Sequence, residues 1–247
     1  MENPKFLPAI SVALYQRALD AARCGQTCNV VMLCCASMEA FINEYTKLGI
    51  TLINDDAEKR DLAEKNKKIN GLTGKTSIVC NAFYIEEKNL ILELDRIERE
   101  DIFSKINTIK KYCIGEEWDR DSIAYYDYRT LIKIRNALVH PCSEMEVLGK
   151  FHIPKFLKPF YQQKKIKYFN DLNTGDSWIE AIDTVKFSNW CLVAFQRMMI
   201  LVINDMYNIK LETSPNLPPI TYIRSLKHLQ FFHFPESLLK SVLKNNQ

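Results

Sequence analysis

Apolar positions recur at helical spacing along most of the chain. Between residues 10 and 23, Val12, Leu14, Tyr15, Leu19 and Ala22 mark one helix, closed by Gly25. From Thr27 onward apolar residues occur nearly all round: Val30, Val31, Met32, Leu33, Ala36, Ala40, Phe41 and Ile42. That pattern predicts a central buried helix, capped by Thr27, reaching about Leu48 and stopped by Gly49. Residues 54–68 carry dense charge of both signs, as a solvated helix or loop does. Leu90, Leu94, Ile97, Ile102, Ile106 and Ile109 give 86–112 helical spacing. Residues 121–140 form a further helix on the stripe Tyr128, Leu131, Ile132, Leu138 and Val139. It ends at His140, because Pro141 pushes the residue before it out of the α region. Residues 147–170 hold short helices or extended pieces. A last long helix over 183–207 contains Trp190, Leu192, Val193, Phe195, Met199, Ile200 and Ile203. "SPNLPP" at 214–219 breaks the pattern. The prediction is all-α: an up-and-down bundle of four to six helices over 1–208, with a C-terminal extension over 209–247 that carries one short helix.

Composition agrees with this picture. The chain has 247 residues, 47% hydrophobic and 26% charged, enough for a sizeable core. Seven glycines and nine prolines are too few for a turn-rich sheet protein. No membrane segment stands out: the uncharged run 27–38 is too short to span, and Gln196 and Arg197 interrupt the C-terminal apolar run. The N-terminal MENPKF lacks a signal-peptide pattern, so a cytoplasmic location is expected. Eight cysteines (24, 28, 34, 35, 80, 113, 142 and 191) show neither CxxC nor Cys/His spacing for zinc. They read as reduced, small hydrophobes. No metal or cofactor is expected.

Net charge is only +3, but its distribution is uneven. Lys150, Lys155, Lys158, Lys164, Lys165 and Lys167 occur with no acid between Val147 and Asn170. Phe151, Phe156, Phe160, Tyr161, Tyr168 and Phe169 alternate with them. Cations beside rings suit a phosphate backbone with stacked bases; a solvated loop with hydrophobic anchors has the same pattern. "INGLTGKTS" resembles a phosphate loop, but Ile69 stands where the first glycine is required.

The string "IRNALVHPC", residues 134–142, places Arg135, Asn136 and His140 at the end of an amphipathic helix. Arg135 and His140 are five apart, about 140° around an ideal helix and ~7.5 Å along it. With Arg135's long stem, both heads would reach one cleft at the helix terminus. Glu39, amid Met38, Ala40, Phe41 and Ile42 of the most apolar helix, needs a polar partner, for which Arg135 or Asn136 would serve.

These residues carry a resemblance. Arg135-Asn136-x-x-x-His140 at a helix end resembles the Arg-x4–6-His motif of the HEPN superfamily. "ASMEAFINE" is similar to the Glu-Ala-Phe helix of several prokaryotic HEPN families, and "FSNWCLVAFQRMM" fits the helix after the motif helix. The resemblance covers residues 5–208. It implies a helical bundle that forms a two-fold homodimer, with the motif helices meeting in a shared cleft. It also implies a metal-independent endoribonuclease of a toxin–antitoxin or antiviral defence type, with RNA as substrate and an antitoxin or defence partner. In families paired with a nucleotidyltransferase antitoxin, a tyrosine follows the histidine by two positions. Here that position is Cys142, which speaks against that mode of control.

The residue types suit the chemistry. Metal-free RNA cleavage needs a group to move the 2′-OH proton and a cation at the phosphate. His140 supplies an imidazole that titrates near neutral pH. Arg135 supplies a forked cation, and Asn136 orients His140 or the phosphate. The products would be 2′,3′-cyclic phosphate and 5′-OH ends. The alternative is a catalytically silent HEPN-like module for dimerisation or partner binding, in which Arg135, Asn136, His140 and Glu39 form a buried polar clamp.

Overall fold

In the computed structural model, residues 9–70, 84–140, 145–148, 151–167, 177–210 and 232–244 are described. Among them are nine α-helices and one short β-hairpin, so the chain is predominantly helical. The helices are α1 (Ile10–Arg23), α2 (Thr27–Asn70), α3 (Ile85–Arg96), α4 (Ile102–Ile114) and α5 (Ile123–Val139). After the hairpin β1 (Met145–Leu148) and β2 (Phe151–Pro154) comes a 3-10 turn, Lys155–Leu157. Then follow α6 (Lys158–Gln162), α7 (Trp178–Ile182), α8 (Val185–Tyr207) and α9 (Glu236–Lys244). The strands pair antiparallel, Met145 opposite Pro154 and Leu148 opposite Phe151.

The chain divides into two compact units, and α2 and α8 contribute residues to both. The first unit holds 1–8, 42–117 and 202–227; the second holds 9–41, 118–201 and 228–247. This differs from the expected boundary at 208. Phe232 is 1% exposed and packs edge-on against Phe41, its ring also 5.6 Å from Tyr15. Its ring belongs to the core of the second unit and does not hang outside it as an accessory tail. Phe232 and Phe234 stack in an aromatic cluster with Tyr15, while His233 between them is exposed.

In the second unit α1 ends as expected at Gly25. Gly25 N–H donates to Ala22 O at 3.1 Å and Gln26 N–H to Ala21 O at 3.0 Å, the Schellman pattern that needs a left-handed residue. Gly25 has φ +69°. Thr27 does not cap α2. Its hydroxyl donates to Ile182 O at 2.6 Å and meets Ser188 Oγ at 2.8 Å, while Asp183 Oδ1 accepts the Thr27 N–H at 3.0 Å. A carboxylate from a residue distant in sequence therefore caps this helix. The core gathers Tyr15 and Ala18 of α1, Cys34 and Met38 of α2, Tyr128 and Leu131 of α5, and Phe187 and Phe195 of α8. One buried polar pair crosses it: Gln196 Nε2 donates to the Tyr15 hydroxyl at 2.8 Å.

In the first unit α2 continues through Gly49 instead of stopping there. A Cβ on Gly49 would lie 2.7, 2.9 and 3.0 Å from Cδ1, Cγ2 and Cγ1 of Ile91. The glycine is thus a site of close approach by α3, not a helix stop. The expected helix over 86–112 is two. Asp101 breaks it: its Oδ1 accepts from Phe103 N–H at 2.8 Å and Ser104 N–H at 3.2 Å, capping α4, which then packs on α3. The described charged residues of 54–61 are exposed, as expected for the solvated stretch.

By length and composition α8 could cross a membrane, but 67% of its apolar window is buried inside the protein, the environment of a core helix. Cys24, Cys28, Cys34, Cys35, Cys113 and Cys191 are free thiols. Burial pushes the Cys35 and Cys113 thiols up to about 12, which removes them from thiolate chemistry. Cys80 and Cys142 lie outside the described residues, as does 71–77 of the phosphate-loop-like string.

Candidate functional site

Ser122 starts α5, its hydroxyl accepting the Tyr125 N–H at 3.4 Å. At the other end His140 donates its backbone N–H to Asn136 O at 2.8 Å and turns extended, with φ −126° and ψ 127°. The proline effect on the preceding residue accounts for this. His140 and Asn136 are exposed and Arg135 is half-buried. Arg135 Nη1 donates to Asn136 Oδ1 at 3.0 Å, so the guanidinium and the amide hold each other.

Arg135 and His140 do not share a face of α5. Arg135 is seven residues from Tyr128 and His140 is seven from Lys133, and each such pair lies nearly in line on an ideal helix. Arg135 is on the side of α2. There Arg135 and Glu39 act in opposite senses on the same two groups, the Cys35 thiol and the Tyr128 hydroxyl. Burial pushes that hydroxyl well above its ordinary range; Glu39 adds to the rise and Arg135 opposes it. Glu39 is half-buried. Among the described residues no ion pair joins Arg135 to Glu39, and no side-chain hydrogen bond joins Arg135 or Asn136 to His140. Within a single chain, then, the described residues show no direct bond between the two heads that the sequence places near one cleft.

The other side of α5 forms one wall of a groove of about 780 Å³. The segment 155–165 and α8 form the remaining walls. Among the described lining residues the cations are Arg129, Lys133, Lys155, Lys165, Lys186 and Arg197, against the single carboxylate of Asp127. Arg197 Nη1 donates to Asp127 Oδ2 at 3.2 Å. Burial raises the Asp127 carboxyl, while Arg197 and then Lys165 pull it down. Tyr126, Phe156, Phe160 and Trp190 bring rings to the same walls. Phe160 and Trp190 have centroids 4.4 Å apart, and the buried Phe187 stacks behind Trp190 at 5.4 Å.

Local structure fixes Lys165 in this wall. Lys164 takes φ +54°, the left-handed position at the end of α6, and Lys165 N–H closes back to Phe160 O at 3.0 Å. The Thr184 hydroxyl donates to Lys165 O at 2.7 Å and accepts the Phe187 N–H at 3.1 Å, tying the segment to the start of α8. Lys165 Nζ then lies 5.8 Å from the Phe160 ring centre.

Of the six lysines singled out from the sequence, Lys155 and Lys165 line the groove. Lys158, Lys164 and Lys167 are exposed and do not line it, and Lys150 lies outside the described residues. Sequence reasoning missed Arg129, Lys133, Lys186, Trp190 and Arg197. A usable signal was present: Lys186, Asn189, Trp190, Val193 and Arg197 recur at helical spacing on one side of α8, bringing two cations and an indole to one face. Among the described residues, no group of three His, Cys, Asp or Glu side chains could hold a metal ion.

Set against family models, curated proteins and solved structures, the chain matches none of them.

Proposed function

We propose that this chain is a metal-independent endoribonuclease of the HEPN type, acting as a cytoplasmic homodimer in a toxin–antitoxin or antiviral defence system. One observation carries the reading: α5 ends in an accessible His140, one turn beyond an Arg135–Asn136 pair whose guanidinium and amide are already oriented. Arg135 neutralises the scissile phosphate, as a fixed forked cation does. One imidazole takes the 2′-OH proton, and the 2′ oxygen attacks phosphorus. The P–O5′ bond breaks, and the leaving 5′ oxygen takes a proton from a second imidazole. The HEPN resemblance implies a homodimer, in which two copies would each bring an Arg135–His140 set to a shared cleft.

The test uses purified wild type and His140→Ala with mixed tRNA and mRNA in excess chelator, the product ends being identified by mass spectrometry. Cyclic-phosphate and 5′-OH ends from wild type alone are expected. Equal cutting by both proteins, or loss of the wild-type cut on chelation, would overturn the proposal.

A second reading has its own supporting observation. Arg135 and Glu39 bear on the same buried Cys35 and Tyr128 between α2 and α5. In that reading the polar residues are a structural clamp in a silent module that dimerises or binds a partner, and neither protein cuts RNA.

A further inference from the structure

The groove between α5, the 155–165 segment and α8 does not contain Arg135, Asn136 or His140, so the proposed cleavage leaves it unexplained. Among the described lining residues six cations face one carboxylate, and Arg197 already engages that carboxylate. Among the described residues, no ion pair involves Arg129, Lys133, Lys155, Lys165 or Lys186. Gathering five such cations around one concavity costs mutual repulsion, which an anionic occupant removes. A surface that served solubility alone would spread its charges.

The rings narrow the occupant further. Trp190 is half-buried, backed by Phe187 and flanked by Phe160. A rigid indole face in a cationic cavity is a stacking platform, where base–aromatic contact adds to phosphate contact. The volume is in the range of small-ligand sites and far larger than an inorganic phosphate needs.

We propose that this groove is a nucleotide-binding site: the ligand's ring system lies on Trp190, and its phosphates are held by Lys133, Lys165 and Lys186. The same chemistry is offered by a free nucleotide and by one unit of a single-stranded RNA. The groove face of α5 also runs on toward His140, seven residues and about 10.5 Å past Lys133 on an ideal helix. A strand-borne nucleotide would thus enter beside the proposed cleavage site. The binding claim itself does not rest on the ribonuclease reading.

Binding is measured on the full chain by intrinsic tryptophan fluorescence and calorimetry. The probes are ATP and AMP, a ten-residue 2′-O-methyl RNA that cannot form a cyclic phosphate, and inorganic pyrophosphate as a ringless control. Two variants alter separate walls at exposed positions: Arg129→Gln with Lys133→Gln, and Lys186→Gln. Far-UV circular dichroism establishes that each is folded. Saturable quenching by ATP or AMP, weakened about tenfold by each variant, supports a free nucleotide. The same behaviour with the oligonucleotide alone supports the strand-borne source. Binding of neither, equal binding by wild type and both variants, or pyrophosphate binding as tightly as ATP would overturn the proposal. Since no probe needs to be cut, a failed cleavage assay and a failed binding assay remain distinct results.

Discussion

Asp205 sits near the end of α8 in the first unit, 5% exposed, with Oδ1 3.4 Å from Lys110 Nζ. Among the described residues its Oδ2 has no hydrogen-bond partner. Burial raises this carboxyl to about 6, Lys110 pulling it down and Glu116 adding to the rise. The unfolded chain releases the same proton near pH 4. Below that pH both states hold the proton and the group is neutral toward stability. Between about 4 and 6 the unfolded state ionises first, so the fold loses stability as pH rises. Above about 6 the full penalty is present, on the order of 2–3 kcal/mol. Asp205→Asn removes the titration and keeps the shape. Urea unfolding of both proteins from pH 4 to pH 7.5 isolates the effect, because other titrating groups cancel in the difference. The variant should gain on wild type by roughly 2–3 kcal/mol between pH 4 and pH 7. A difference that stays flat, or one that favours wild type as pH rises, would refute the reasoning.

Two further outcomes are expected from denaturant melts. Gly49→Ala gains ~1 kcal/mol of helix propensity but forces Ile91 aside, so a net loss of about 1–2 kcal/mol is expected. The loss should shrink in an Ile91→Val background, which lacks the Cδ1 atom 2.7 Å away. Arg135→Ala should cost less than about 1 kcal/mol, because the half-buried guanidinium bonds only its neighbour Asn136 among the described residues. A loss of about 3 kcal/mol or more would mark a structural clamp and count against the ribonuclease reading.

Local chemistry alone was enough to determine much of this protein. The helix period at 10–23, most of that at 183–207, the left-handed stop at Gly25 and the extended turn at His140 depend on near neighbours in the chain. So does the presentation of Arg135, Asn136 and His140 at one helix end, since three positions within six residues cannot separate far. Other features depend on residues distant in sequence, and only tertiary structure decided them. Gly49 looks like a stop until Ile91 is seen to occupy the space of its missing Cβ. Thr27 looks like a cap until Asp183, 156 residues away, takes that place. Leu90 to Ile109 looks like one stripe because both helices of a pair can be apolar in register, and the break is carried by Asp101 alone. The basic groove was legible only in part, as the lysine–aromatic run that supplies Lys155 and Lys165. Its other cations lie on α5 and α8, each ordinary on its own helix. Only packing brings them to one cavity, because a charge pattern read along the chain records neighbours in sequence, whereas binding depends on neighbours in space.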